Sequence, residues 1–422
     1  MMYFGTDGIR GKAYDTLPLL RAYQLGVALK EVYPKDQFII GYDTRVSSLD
    51  FVHALVDGLE GMKVKVAGMV PTPLIAYDSQ VNHLIGVMIT ASHNPYEDNG
   101  LKVFEYGFKV SDDAKQNLET VMQTVTSYSK RDVLLNTVDK TQDYVTFATS
   151  LFGHPTFNDY VIDCAHGTTS FISQMMFEVP HYFNEPNGTN INEACGATYM
   201  QAVQEVKKNH RVGFSFDGDG DRMLMVIDED IIYGDQILYL FAKDMMLKGD
   251  NVSVALSVMT NPGVFKAFKH LGVDVYETPV GDAYLFEAIK DGHATIGAEA
   301  SGHYMLHYDN GMNRVLIGDG MLAAKKVIDI ISRYSLDVIK TWLKDIEMVP
   351  MSTKSIHIDK AVLNKPHIST CIESIQKEVS KPYKCIVRPS GTEEKIRLAV
   401  SLPTQKEVDD MLHRLVACLE RG

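Results

Sequence analysis

No apolar run in the 422-residue chain approaches the ~20 residues that a membrane-spanning helix needs; the longest clean one covers 84–89. The N-terminus reads MMYFGTDGIRGK, with no apolar stretch of the signal-peptide kind. Cysteine is scarce: Cys164, Cys195, Cys371, Cys385 and Cys418 make an odd count with no C-x-x-C spacing. That argues against a disulfide framework or a zinc site and points to a reducing, cytoplasmic setting. Positive charge is short as well, with 41 Lys and Arg against 54 Asp and Glu and a net charge of −13. Such a chain is a poor general binder of nucleic acid or anionic membrane. A bound anion must be held by a local cluster of Arg, Lys and backbone N–H groups.

What is present is an ordinary folding composition, 45% hydrophobic and 23% charged, which excludes a disordered chain. Short apolar strands alternate with amphipathic helices. Segments 38–42, 64–68, 84–90, 160–164, 212–216, 223–228, 252–258 and 273–277 read as strands. Helices are expected at 17–32, 48–59, 112–125, 169–177, 236–247, 264–271, 284–290 and 320–331. This alternation predicts α/β units with mixed, largely parallel sheets. The last part differs, with strands at 352–358, 384–387 and 395–401 and helices at 368–379 and 404–420, which predicts a small α+β domain. No Gly/Ser-rich or Pro-rich linker separates the units, so tight packing around a shared cleft is expected.

Four loops carry chemistry. The first, Thr90-Ala91-Ser92-His93-Asn94-Pro95, follows the apolar run LIGVMI. It delivers Ser92 to the C-terminal end of a strand, where open α/β sheets bind ligands. In an extended segment Ser92 and His93 point to opposite faces, so a hydrolase pair is not expected. The second is Asp217-Gly218-Asp219-Gly220-Asp221-Arg222. Its glycines let the backbone curl so that three carboxylates aim at one point. Three clustered anions repel unless a cation sits among them, and carboxylate oxygens suit Mg²⁺ or Ca²⁺. An EF-hand loop is excluded, because Arg222 and Asp228 stand where it needs Gly and Glu.

The third loop is Gly297-Ala298-Glu299-Ala300-Ser301-Gly302-His303. If extended, it places Glu299, Ser301 and His303 on one side, a set able to hydrogen-bond vicinal sugar hydroxyls. The fourth is Arg388-Pro389-Ser390-Gly391-Thr392-Glu393 with Arg397 on the strand after it, which reads as a phosphate cradle. GTDGIRGK lacks P-loop spacing. Gly318-Asp319-Gly320 has no clear strand before it and is read as a helix start.

With these loops in this order, the chain resembles the α-D-phosphohexomutase superfamily from Gly5 to about Arg397. YFGTDGIRGK, DNGLKVF, DCAHGT, NGTNINEACG, GDQIL and VGDAY are most similar to its phosphoglucosamine mutase branch. The resemblance implies three similar α/β domains and the small C-terminal one, set here at 1–140, 141–248, 249–347 and 348–422, around a central cleft. It implies a phosphorylated Ser92 that joins Asp217, Asp219 and Asp221 in holding Mg²⁺. Glu299, Ser301 and His303 would contact the sugar. Arg388, Ser390, Gly391, Thr392 and Arg397 would hold the phosphate that is not being transferred. Lys102 in DNGLK would be a general acid/base, provided its pKa is lowered. Arg10, Arg222 and His93 would surround the reacting phosphate.

The implied activity is an intramolecular phosphotransfer between glucosamine 6-phosphate and glucosamine 1-phosphate, feeding amino-sugar nucleotide and cell-wall precursor synthesis. A hexose or hexosamine 1,6-bisphosphate would be the activator, and the protein a cytoplasmic monomer or homodimer without nucleic-acid or membrane partners. Ala283, Ala298, Ala300, Ile317 and Glu394 depart from the branch pattern and bear on the choice of sugar. Glucose or mannose phosphate as substrate, a non-catalytic sugar-phosphate-binding protein and a metal-dependent phosphatase stay open as alternatives.

Overall fold

The computed structural model describes residues 3–5, 7–153, 155–389 and 395–421. Its strands form four sheets, three of them built alike. The first contains β1 (Ile9–Lys12), β2 (Gln37–Tyr42), β3 (Lys63–Met69), β4 (Ile85–Ile89), β5 (Asp98–Glu105) and β6 (Phe108–Lys109), in the order β1-β5-β4-β2-β3 with β6 beside β5. The second contains β7 (Tyr160–Asp163), β8 (His181–Tyr182), β9 (Val212–Phe216), β10 (Met223–Ile227) and β11 (Asp230–Ile232), in the order β11-β10-β9-β7-β8. The third contains β12 (Ser253–Ser257), β13 (Asp274–Thr278), β14 (Ile296–Ala298), β15 (Tyr304–Asp309) and β16 (Arg314–Gly318), in the order β13-β12-β14-β15-β16.

In each of these sheets a central strand runs parallel to one neighbour and antiparallel to the next. The central strands are β4, β9 and β14, and their antiparallel neighbours are β5, β10 and β15. The hairpin between that pair carries, in turn, Ser92, the three aspartates and Glu299. The reason is visible in the sequence. IGVMI, VGFSF and IGA are buried at every residue, which only a central strand covered on both faces can satisfy. A polar hairpin following such a strand is forced to the sheet's edge, where the units meet.

The last sheet is β17 (Met351–Ile356), β18 (Lys384–Pro389) and β19 (Ile396–Ser401), in the order β17-β19-β18 and wholly antiparallel. One apolar core runs continuously from Ile39 to Ile346 through all three larger units. The small domain keeps its own core, around Ile368, Ile372, Val408 and Leu415. There the expectation drawn from cysteine count fails for one pair, since Cys371 and Cys418 form a disulfide between helices Pro366–Gln376 and Gln405–Leu419. The pairing comes from two helices packed face to face, 47 residues apart in sequence, which no local spacing announces. Cys164, Cys195 and Cys385 are free. β16 does precede Gly318-Asp319-Gly320, contrary to the reading above. The helix start stands: Asp319 caps Gly320–Tyr334 by accepting the Leu322 N–H at 2.9 Å. Among the described residues no helix is long and apolar enough to cross a membrane.

Candidate active site

Ser92 and the aspartate loop meet directly. Ser92 Oγ donates to Asp217 Oδ2 at 2.7 Å, and both residues are buried. Asp217, Asp219 and Asp221 each offer a carboxylate oxygen within 4.8 Å of the others. Gly218 permits this approach: a Cβ there would lie 2.8 Å from the Ser92 carbonyl oxygen. Asp219 Oδ2 accepts from Thr72 Oγ1 at 2.6 Å and from Lys102 Nζ at 2.7 Å, and Lys102 Nζ also donates to Asp221 Oδ2 at 2.8 Å. One oxygen on each of Asp219 and Asp221 is buried with no hydrogen-bond partner. Burial, together with repulsion from Asp221 and Asp219, pushes the Asp217 carboxyl well above the usual carboxylate range. A buried, over-charged set of hard oxygen donors with two oxygens unpaired fits a small divalent cation such as Mg²⁺.

Two local expectations fail for the same reason, namely that the backbone turns where it was taken as extended. Ser92 has φ of +54°, in the left-handed region, so alternation does not apply and His93 Nδ1 lies 3.4 Å from Ser92 Oγ. That contact is long, and His93 is held well below its ordinary pKa by Arg222, by burial and by Arg10, so it is neutral. Glu299 to His303 is a tight turn closed by Gly302 N–H to Glu299 O at 3.0 Å and Glu299 N–H to His303 O at 3.0 Å. Gly302 is needed there, with φ of +90° and no room for a Cβ against the Met223 carbonyl at 2.4 Å. Glu299, Ser301 and His303 nonetheless line one cavity, as expected.

Lys102 does not meet the condition set for a base. Burial opposes its charge, but Asp219, Asp221 and Asp7 outweigh that and raise its pKa well above the ordinary value. Lys102 is an ammonium donor in this arrangement. Arg10 donates to the Ala91 carbonyl at 3.1 Å and pairs with Asp7. Arg222 Nε donates to His303 Nε2 at 2.8 Å, so Nε2 carries no proton and the His303 Nδ1–H faces Asp221 Oδ1 at 3.8 Å.

Beyond these groups opens a cavity of about 710 Å³. Arg10, His93, Arg222, Glu299, Ser301, Arg388 and Arg397 all line it. Arg388 and Arg397 lie opposite each other across β18 and β19. Burial and the Arg397 charge lower the Arg388 pKa, a like-charge strain that a bound anion would relieve. Ser390, Gly391 and Thr392 lie outside the described residues.

Several functional residues were not anticipated. Asp7 is gripped by Arg10, Lys109 and Lys102, and Lys109 Nζ also reaches Asp282 at 2.5 Å. Burial would raise the Asp7 pKa, but Lys102, Lys109 and Arg10 hold it well below the ordinary value. Asp7 and Asp282 sit in quoted motifs, GTDGIRGK and VGDAY. Thr72 and Lys109 carry no sequence signal.

A strand-end serine on a triple-acid pocket, facing an arginine-walled cavity, is the arrangement of a phosphohexomutase. Residues 1–129 match the phosphoglucomutase/phosphomannomutase alpha/beta/alpha domain I, and residues 233–347 match domain III. A phosphoglucomutase/phosphomannomutase family protein from Burkholderia thailandensis shares the fold, with TM-score 0.81 and 20% identity over 100% of this chain and 98% of that one. At the sequence level the chain is 33% identical to a phosphoglucosamine mutase of Thermotoga neapolitana over 99% of both chains. It is 34% identical to one of Caldicellulosiruptor saccharolyticus over 99% of this chain and 98% of that one. The chain belongs to the phosphoglucosamine mutase family.

Proposed function

We propose that the protein interconverts glucosamine 6-phosphate and glucosamine 1-phosphate through phospho-Ser92 and a bisphosphorylated sugar. The observation that carries this reading is the 2.7 Å contact between Ser92 Oγ and Asp217, next in sequence to His93 and near Arg222, which line one cavity together with Arg388 and Arg397. In the forward direction the bond from phosphorus to Ser92 Oγ breaks and a bond from phosphorus to the free sugar hydroxyl forms. The proton that this hydroxyl loses is balanced by the one that Ser92 Oγ regains and donates toward Asp217, so the transfer releases no net proton. The bisphosphate turns round within the cleft, and its other phosphoryl group returns to Ser92. Asp217, Asp219 and Asp221 would hold Mg²⁺, which supplies charge neutralisation for the phosphoryl group.

Each remaining side chain has a part. Lys102, Arg10 and Arg222 present fixed positive charge where the transferring group must sit. Glu299 is aimed by Gly281 N–H at 2.8 Å and by Ser301, and orients sugar hydroxyls. Arg388 and Arg397 hold either phosphate in turn. The cavity they line, of about 710 Å³, far exceeds one hexose and leaves room for rotation. The substrate is a small phosphosugar, and a cytoplasmic location goes with amino-sugar supply.

The test is turnover of the 6-phosphates of glucosamine, glucose and mannose, with Mg²⁺ and a trace of sugar 1,6-bisphosphate, followed by intact-mass detection of phosphoserine. The reading expects glucosamine 6-phosphate to be preferred and the phosphoryl group to pass from protein to sugar. Stoichiometric release of inorganic phosphate would instead make the protein a phosphatase. A phosphate that never leaves Ser92 would make it a binding protein.

A further inference from the structure

The serine loop is held from behind by two side chains to which nothing so far gives a role. Arg45 is buried, with a fully buried side chain paired to an equally buried Asp43 at 2.8 Å. A guanidinium has five N–H donors, and every one here has an acceptor. Nε goes to Asp43 Oδ2, Nη1 to the Pro95 carbonyl and to the Asp98 carbonyl at 3.0 Å. Nη2 goes to the Ser92 carbonyl at 3.0 Å and the Asn94 carbonyl at 2.8 Å. Asp43 is fixed in turn by the Ser48 hydroxyl at 2.8 Å. Four carbonyls of the 92–98 segment therefore converge on one cation.

From the second unit, Asn192 reaches the same place. Its Nδ2 donates to the Ser92 carbonyl at 2.9 Å and to the Asn94 carbonyl at 3.2 Å, the two oxygens that Arg45 also holds. Asn192 is itself fixed in the left-handed region, with φ of +60°, and its N–H donates to the Ala165 carbonyl at 2.9 Å. Nearby, the Val46 N–H donates to the Gly188 carbonyl and the Thr44 hydroxyl to the His166 carbonyl, both at 2.9 Å. These bonds tie the unit that carries Ser92 to the unit that carries the aspartates.

We propose that Arg45 and Asn192 are positioning residues for phosphoryl transfer, which grip the Ser92 and Asn94 carbonyls from two units and so fix the left-handed turn that aims Ser92 Oγ at Asp217. The proposal rests on the mutase reading. A serine that must carry phosphate beside a metal pocket cannot be left to choose its own backbone conformation. Sharing its carbonyl between two units makes the serine and the aspartates move as one body. A misplacement of about 1 Å at a reacting centre costs up to about 100-fold in rate.

The experiment compares wild type, Asn192→Ala and Arg45→Lys in two assays: steady-state turnover of glucosamine 6-phosphate, and uptake of phosphate onto Ser92 from glucose 1,6-bisphosphate with Mg²⁺. The Asn192→Ala protein is expected to fold, with a midpoint a few degrees lower because alanine meets a left-handed φ and two hydrogen bonds are lost, and to lose about 10- to 100-fold in kcat and in phosphate uptake, with KM within about twofold. Lysine cannot supply five donors, so Arg45→Lys is expected to lose at least as much. Amide exchange at Ser92–Asn94 should quicken in both variants, with or without substrate. A folded Asn192→Ala protein with wild-type kcat overturns the role, and so does one in which only KM changes. If Arg45→Lys does not fold, Asn192→Ala decides alone. A wild-type protein that takes up no phosphate overturns the mutase reading and this role with it, whereas an active wild type matched by its variants overturns the role alone.

Discussion

The Ser92 side of the cleft is a closed mesh of buried charges, while on the Arg388 side two partly buried arginines line an open cavity. Ser92, Asp217, Asp219 and Lys102 are all buried, with Ser92 bonded to Asp217 and Lys102 to Asp219. Arg388 and Arg397 stand side by side on a three-stranded sheet whose apolar core is separate from that of the rest of the chain. The first wall is assembled before substrate arrives, apart from the two carboxylate oxygens left unpaired. In the second, burial and the Arg397 charge lower the Arg388 pKa, which favours an arriving anion there. The difference follows from the reaction: one wall must hold a fixed transition state, and the other must accept a phosphate in two orientations.

That contrast can be broken by mutation. The largest effect belongs to Ser92→Ala, which removes the group proposed to carry the phosphoryl. Turnover should fall by at least about 10³-fold, and intact mass should show no added phosphate. Retained turnover would mean that the closed wall is not the reacting one. Next comes Asp219→Asn, which takes a proposed cation ligand from the acid pocket and a partner from Lys102. A loss of about 10²-fold is expected, with a raised Mg²⁺ requirement in titrations, and chelation of the wild-type protein should abolish activity reversibly. Arg388→Ala should act differently. Losing a charge-assisted phosphate contact of about 1.5–3 kcal/mol should raise KM roughly 10- to 100-fold and change kcat little. If kcat falls instead, the open wall is pre-organised for the transition state and the contrast is wrong.

The sequence made the four loops legible because each packs its chemistry into consecutive residues. Asp217-Gly218-Asp219-Gly220-Asp221 announces convergence through its glycines alone, and the structure brings the carboxylates within 4.8 Å. The supporting residues were illegible because their work is done on distant backbone. Nothing near Arg45 in sequence shows that four carbonyls of 92–98 surround it. Helix Thr72–Val81 went unread for a related reason. Eight of its ten residues are buried, so it has no polar face and hence no helical period to detect. Single-residue backbone choices also escaped, such as the left-handed φ at Ser92, which brought His93 closer to the serine than alternation allows.

The smallest expected effect on turnover tests the burial behind the closed wall. Asp319 is buried, and its neighbour Gly320 donates to the Gly220 carbonyl of the aspartate loop at 3.2 Å. Burial pushes the Asp319 carboxyl up to about 7 from 3.8, against the opposing hydrogen bonds from Tyr144 and from the Leu322 and Met321 amides. The folded state therefore keeps a proton between pH about 4 and 7 that the unfolded chain has released. Stability from this group is complete below the unfolded value and is lost as pH rises through the folded one, by about 4 kcal/mol in all. Asp319→Asn keeps Oδ1 as acceptor for the Leu322 amide, and its Nδ2 can donate to the Tyr144 hydroxyl oxygen, which sits 2.5 Å from Oδ2 in the wild type, but it cannot titrate. Its thermal midpoint should match wild type below about pH 4, diverge as pH rises, and exceed it by several degrees at pH 8, with turnover nearly unchanged. Parallel midpoint profiles for the two proteins would show that the closed wall carries no such charge cost, and that its dryness does not distinguish it from the open one.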